Sequence, residues 1–258
     1  MRRASTCLAV LGLAVLALPG VASATPAVTL KAQLVPIPGF PHTGNILGAG
    51  AALQTEFTIK GTEYGGYPPP LIGVNVDFPN GTKITSQGFK TCPNKTIVEE
   101  KEPTKCPKGS KAGPVGTVHG FVVFGTERVP EALTVEPFFA AGGGVNFLAL
   151  GHTPASIEVV SQGKFASLTS AGGVGPKFDA TVPLVETVPG APDASVETIS
   201  VKVGAAYKKG KKTVYYGTVP KKCPKGGFPL KAELKFAGLG GLTEQVATAT
   251  YTAPCPRK

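Results

Sequence analysis

The chain has no tryptophan, one methionine, three histidines and three aspartates among its 258 residues. Each shortage removes a class of function. Without tryptophan there is no indole platform on which a sugar ring would stack. Asp77, Asp179 and Asp193 stand apart, with no Asp-x-Asp pattern, so the clustered oxygen ligands of a calcium site are missing. No Cys-x-x-Cys occurs, and His42, His119 and His152 lie far in sequence from the cysteines after residue 24. Neither a zinc site nor a thioredoxin-like redox pair is expected from that spacing. There is no Gly-x-Ser-x-Gly elbow and no glycine-rich phosphate loop. The single carboxylate cluster, Glu99, Glu100 and Glu102, is interleaved with Lys101 and followed by Lys105, and reads as a solvated charge run. The chain is expected to be no enzyme and to hold no cofactor and no metal.

Long apolar runs are scarce too. The only one spans Leu8–Leu18, behind Arg2 and Arg3 and ahead of Pro19, Gly20 and the small-residue sequence Ala22-Ser23-Ala24. It is shorter than the ~20 residues of a membrane-spanning helix and has the three regions of a secretory signal. Residues 1–24 are therefore expected to form a signal peptide with a helical apolar core, and the mature chain to begin at Thr25. Cys7 has no lipid-attachment sequence around it, and "TAPCPRK" at the C-terminus carries no hydrophobic tail. The expected product is secreted, extracellular or loosely held at the cell envelope, with no membrane span after cleavage.

Four cysteines then remain, Cys92, Cys106, Cys223 and Cys255, and each is followed by proline. In an oxidising compartment an even number implies two disulfides. Proline holds the residue before it in an extended conformation and cannot donate to a sheet ladder, so Cys-Pro suits a strand end. The spacing favours Cys92–Cys106, closing a short charged loop without core pattern, and Cys223–Cys255, tying the last strand to its neighbour. The alternative joins Cys92 to Cys255 and Cys106 to Cys223. Cys-Pro also occurs in haem regulatory motifs, but those require a free thiolate.

What the chain has in quantity is glycine (34), proline (25) and short alternating segments. In "LQTEFTIK", Leu53, Thr55, Phe57 and Ile59 share one face and Gln54, Glu56 and Lys60 the other. "LIGVNVDFP" places Ile72, Val74, Val76 and Phe78 inward, and "FPLKAELKF" places Leu230, Ala232, Leu234 and Phe236 inward. "KFDATVPLVE" alternates as well, but Pro183 marks it as an edge strand. "TVHGFVVFG" is apolar on both faces, as for a central strand. Further strands are expected at 28–35, 134–140, 145–150, 156–160, 196–207, 213–219 and 245–251. Turn sequences such as "EYGGYPPP", "FPNGTK" and "VPGAPD" separate them. No helical period follows the signal. The expected fold is all-β, a disulfide-stapled antiparallel β-sandwich, either one large domain over 25–258 or two lobes meeting near residue 130. The repeated "KCPKG", at 105–109 and 222–226, hints at a duplication.

The stretches "YPPPLIGVNVDFPNGTKITSQGFKTCP", "KCPKGSKAGPVGTV" and "KKGKKTVYYGTVPKKCPKGGFPLKAELKF" with "TATYTAPCP" resemble a group of secreted proteins of high-GC soil actinobacteria. The resemblance covers about half the mature chain. It implies secretion, paired cysteines and a β fold, and carries over no catalytic residue and no ligand.

Charge is unevenly placed. From 201 to 258, twelve Lys and Arg stand against only Glu233 and Glu244. "AYKKGKKTVYYG" reads as a hairpin with Lys208, Lys209, Lys211 and Lys212 at its tip, and Lys221, Lys222 and Lys225 follow. Such a basic patch attracts polyanions at low salt. It equally deters edge-to-edge aggregation. The leading expectation is a structural or adhesive extracellular protein making weak electrostatic contact with an anionic wall polymer or polysaccharide, without specific nucleic-acid recognition. A second is a carbohydrate- or small-ligand-binding sandwich using Tyr64 and Tyr67 beside Pro68–Pro70. A third is a hydrolase built around His152 or the glutamates.

Overall fold

The computed structural model describes residues 25–40, 47–124, 127–153, 155–166, 174–185, 194–239, 241 and 243–255. The expected signal helix and His42 lie outside the described residues. Among the described residues fifteen strands follow one another: β1 (Ala27–Val35), β2 (Ala52–Lys60), β3 (Leu71–Pro79), β4 (Lys83–Ile84), β5 (Gly116–Phe124), β6 (Glu127–Phe139), β7 (Val145–Gly151), β8 (Ile157–Ala166), β9 (Val174–Thr181), β10 (Ser195–Val203), β11 (Ala206–Lys209), β12 (Lys212–Tyr215), β13 (Gly217–Thr218), β14 (Phe228–Phe236) and β15 (Gln245–Ala253).

Eleven of them form one antiparallel sheet in the order β1-β2-β10-β5-β6-β7-β8-β9-β3-β14-β15. The two outermost strands, β1 and β15, lie alongside each other, so the sheet curls into a nearly closed barrel. The chain is all-β, as its alternation implies, but one continuous ladder stands where two stacked sheets were expected. Residue 130, the expected lobe boundary, falls inside β6.

Period-two alternation decides which side chains face the interior. Leu30 pairs with Phe57 and Val28 with Ile59 on the inner face, while Lys31 pairs with Glu56 outside at 3.3 Å. Leu230, Ala232, Leu234 and Phe236 of β14 are buried, and Lys231 reaches Glu233 on the outer face at 2.6 Å. This contact lowers the Glu233 carboxyl pKa and raises that of Lys231. On these strands the outer face is charged and the inner face apolar. Among the described residues no helix is long and apolar enough to cross a membrane.

Four strand expectations need correction, the first being 213–219, which is divided at Tyr216 into β12 and β13 in separate small sheets. β9 is not an edge strand; it lies between β8 and β3 and ends at Thr181, two residues before Pro183, so the proline removes no ladder bond. The segment 196–207 is two strands, β10 and β11, separated at Gly204, where a Cβ would collide with the backbone of Ala52. In β3, Leu71 rather than Ile72 joins the core, because a register shift opposite Lys235 and Phe236 moves the inward position by one.

Both disulfides follow the local pairing, Cys92–Cys106 and Cys223–Cys255, with Cα separations of 5.0 and 6.0 Å. The first loop is not the purely solvated segment its charge implies. A single π-helical turn, Lys95–Glu99, buries Ile97 completely against Phe138, Leu148 and Val160. Those three residues lie on the outer face of β6, β7 and β8, so the loop covers an apolar patch that the sheet would otherwise expose. Glu100 and Glu102 stay at the surface, at 3.9 and 2.8 Å from Lys105.

Candidate functional site

An eight-stranded barrel is just wide enough for its own side chains to fill; more strands enclose more space. Here eleven strands meet an interior lined by small side chains, including Gly120, Ala149, Ser161, Ala180 and Thr55. The result is an internal cavity of about 280 Å³ with an almost wholly apolar lining.

One end, where β6 turns into β7, has an aromatic floor. Phe139 packs against Tyr216 at 4.6 Å and against Phe89 at 4.9 Å. The Tyr216 hydroxyl donates to the Gly143 carbonyl at 2.7 Å, and burial pushes its phenol pKa up.

The opposite end collects the polar groups. Glu131, on β6, lines the cavity and is 3% exposed. Its Oε2 accepts the Ala155 N–H at 3.1 Å, whereas its Oε1 is buried with no hydrogen-bond partner among the described residues. Glycines flank the carboxyl group: Gly120 pairs with Glu131 across β5, and a Cβ on Gly151 would stand 2.7 Å from Oε1. Nearby on the same strand, Arg128 donates to the Tyr64 carbonyl at 2.9 Å and to Ser195 Oγ at 3.4 Å. Pro183, Leu184 and Val185 also line the cavity here, and Leu184 is 47% exposed.

The residues singled out in the sequence fall elsewhere or acquire partners. Tyr64 and Tyr67 are brought together by mutual backbone hydrogen bonds. Their rings pack on the Arg128 guanidinium at 5.0 and 4.8 Å, and Tyr67 also meets Phe121 at 4.4 Å. They form an aromatic clasp around an arginine at the barrel end. Lys208, Lys209, Lys211 and Lys212 occupy the β11–β12 hairpin, turned by Gly210 (φ 61°) and Lys211, at the aromatic-floor end. Lys221, Lys222 and Lys225 lie at that end too. All seven lysines are exposed, and none makes an ion pair with a described residue. His119 and His152 are exposed and neither lines the cavity. Glu99, Glu100 and Glu102 stand outside the barrel on the disulfide loop. Among the described residues no three metal-ligating side chains gather.

Glu131 and Arg128 were missed in the sequence. Val129, Glu131, Leu133 and Val135 alternate as one face, a usable signal, but Pro130 interrupts the pattern. Nothing local marks Arg128, whose partners are 64 and 67 positions away. No known protein family matches the chain, and neither does any curated protein or solved structure.

Proposed function

We propose that the barrel is an extracellular binding protein for a small apolar molecule held inside the sheet. The observation that carries this is the 280 Å³ apolar cavity, roughly twice the ~150 Å³ hole that accommodates benzene. A ligand of about a dozen heavy atoms fits that space, and burying it is driven by the removal of apolar surface from water. Leu184, at the end opposite the aromatic floor, both lines the cavity and reaches solvent. The two disulfides fit an oxidising compartment outside the cell.

Butylbenzene is the test probe, titrated by calorimetry. At about −0.5 kcal/mol per heavy atom its Kd is on the order of 200 μM. Ala149 faces the interior between Val135 and Val159. Ala149→Phe fills the space beside it and is expected to weaken butylbenzene by about 20-fold or more; Val159→Leu, a gentler filling, should weaken it less. Equal affinity in the wild type and in folded Ala149→Phe would place the probe elsewhere and end the proposal.

A second reading rests on the seven exposed lysines. Ammonium groups at one end of the barrel, without an ion pair to any described residue, give weak, salt-sensitive contact with an anionic wall polymer or polysaccharide. Replacing Lys208, Lys209, Lys211 and Lys212 by serine is expected to reduce cosedimentation with purified cell wall several-fold near 20 mM salt. The difference should vanish near 500 mM, where the screening length has fallen to about 4 Å. Binding that ignores both salt and the substitutions removes this reading.

A further inference from the structure

We infer that the cavity selects an apolar ligand carrying one hydrogen-bond-donor head, a primary amine or a hydroxyl, which docks on Glu131. This rests on the interior being a binding site and specifies what it takes.

The argument is one of unmet demand. A buried carboxylate oxygen without a donor is costly, because water has been removed and nothing replaces it. Glu131 is the only carboxylate lining the cavity among the described residues, and only its Oε2 is engaged, by Ala155. The remaining Oε1 has no hydrogen-bond partner among the described residues, and the missing side chain at Gly151 leaves room beside it. Arg128 does not neutralise it; that guanidinium is committed to Tyr64 and Ser195. The nearest compensation is therefore the ligand itself. A head that donates to Oε1 satisfies the last open acceptor, and an ammonium head adds the opposite charge in a weakly screened interior.

The placement also orients the ligand. Glu131 stands at the end where β7 turns into β8, and Tyr216, backed by Phe139, lines the other. The donor head lies toward Ala155 and the apolar tail runs toward the aromatic floor. A carboxylate head is rejected by like-charge repulsion at Glu131.

The test compares 4-phenylbutylamine, 4-phenylbutanol, 4-phenylbutyrate and butylbenzene by calorimetry on the full protein. In the wild type, the amine and the alcohol are expected to bind at least 10-fold more tightly than the acid, and more tightly than butylbenzene. Within each variant, the amine-to-butylbenzene affinity ratio reads the head contact. That ratio should fall toward one in Glu131→Leu. In the isosteric Glu131→Gln the amine preference should drop about 10-fold while the alcohol preference survives, since the amide oxygen still accepts. Butylbenzene binding with no preference among the heads, or a preference that persists in Glu131→Leu and Glu131→Gln, overturns the inference. Failure of butylbenzene itself to bind the wild type removes the cavity reading, and this inference with it.

Discussion

Replacing Cys223 and Cys255 by serine is expected to lower the unfolding free energy by about 3–4 kcal/mol. The bridge joins positions 32 residues apart, at the open end of the β14–β15 hairpin. Cys255 is exposed and Cys223 only half-buried, so little packing goes with the sulfurs. The effect is therefore close to a pure cross-link, acting by enlarging the unfolded ensemble. For a chain of this size it should appear as a melting point lower by roughly 8–14 °C. Position amplifies the consequence. β15 ends the ladder and meets β1, and its inward Ala247 and Ala249 complete the main core with Leu234 and Leu30. A hairpin that frays there opens the barrel along its only unladdered seam among the described strands. Urea unfolding of the double-serine variant checks this. A change below about 1 kcal/mol would mean that register and apolar burial hold β15 without help from the sulfurs.

The strands were legible where a charged residue alternates with an apolar one. β2 and β14 are the clear cases: Glu56, Lys231, Glu233 and Lys235 mark the solvent face directly. The cysteine pairing was legible because a 14-residue loop closes easily and each Cys-Pro ends an extended segment. The barrel was not legible. Alternation states that one face is buried, and both a sandwich and a curled sheet satisfy it. What separates them is which strands pair, and here β2 pairs with β10 and β3 with both β9 and β14. Those pairings bring together residues far apart in sequence, which no local pattern encodes. The candidate site suffered twice. Pro130 hid the first half of β6, and with it Glu131. The prominent lysines and tyrosines drew attention by composition, whereas the cavity arises from small side chains at inward positions, whose significance is visible only once the sheet has closed.

Truncating Ile97 to alanine is expected to destabilise the protein by about 3–4 kcal/mol, near the upper part of the range for large-to-small core changes. Ile97 is wholly buried although it sits in the most charged loop of the chain, in a cluster that joins Cys92 of the loop to Phe138, Leu148 and Val160 on the outer face of the sheet. Removing its branched side chain leaves a hole between the loop and Phe138, Leu148 and Val160. The π-helical turn is too short to close that hole by itself. Ile97→Val, which removes one methylene, should cost about 1 kcal/mol. The anchoring and the Cys92–Cys106 bridge hold the same segment, so their effects should not add. With both cysteines replaced by alanine, the loop is expected to be partly released, and Ile97→Ala should then cost at least 1 kcal/mol less than in the bridged protein. A double-mutant cycle in urea measures that coupling. Strict additivity would show that the loop stays seated without its covalent link, with Ile97 alone as its anchor. Because the loop lies outside the barrel, butylbenzene affinity in Ile97→Ala should match the wild type well below the melting temperature. A parallel loss of binding would show instead that the loop shapes the interior wall through β6 and β7.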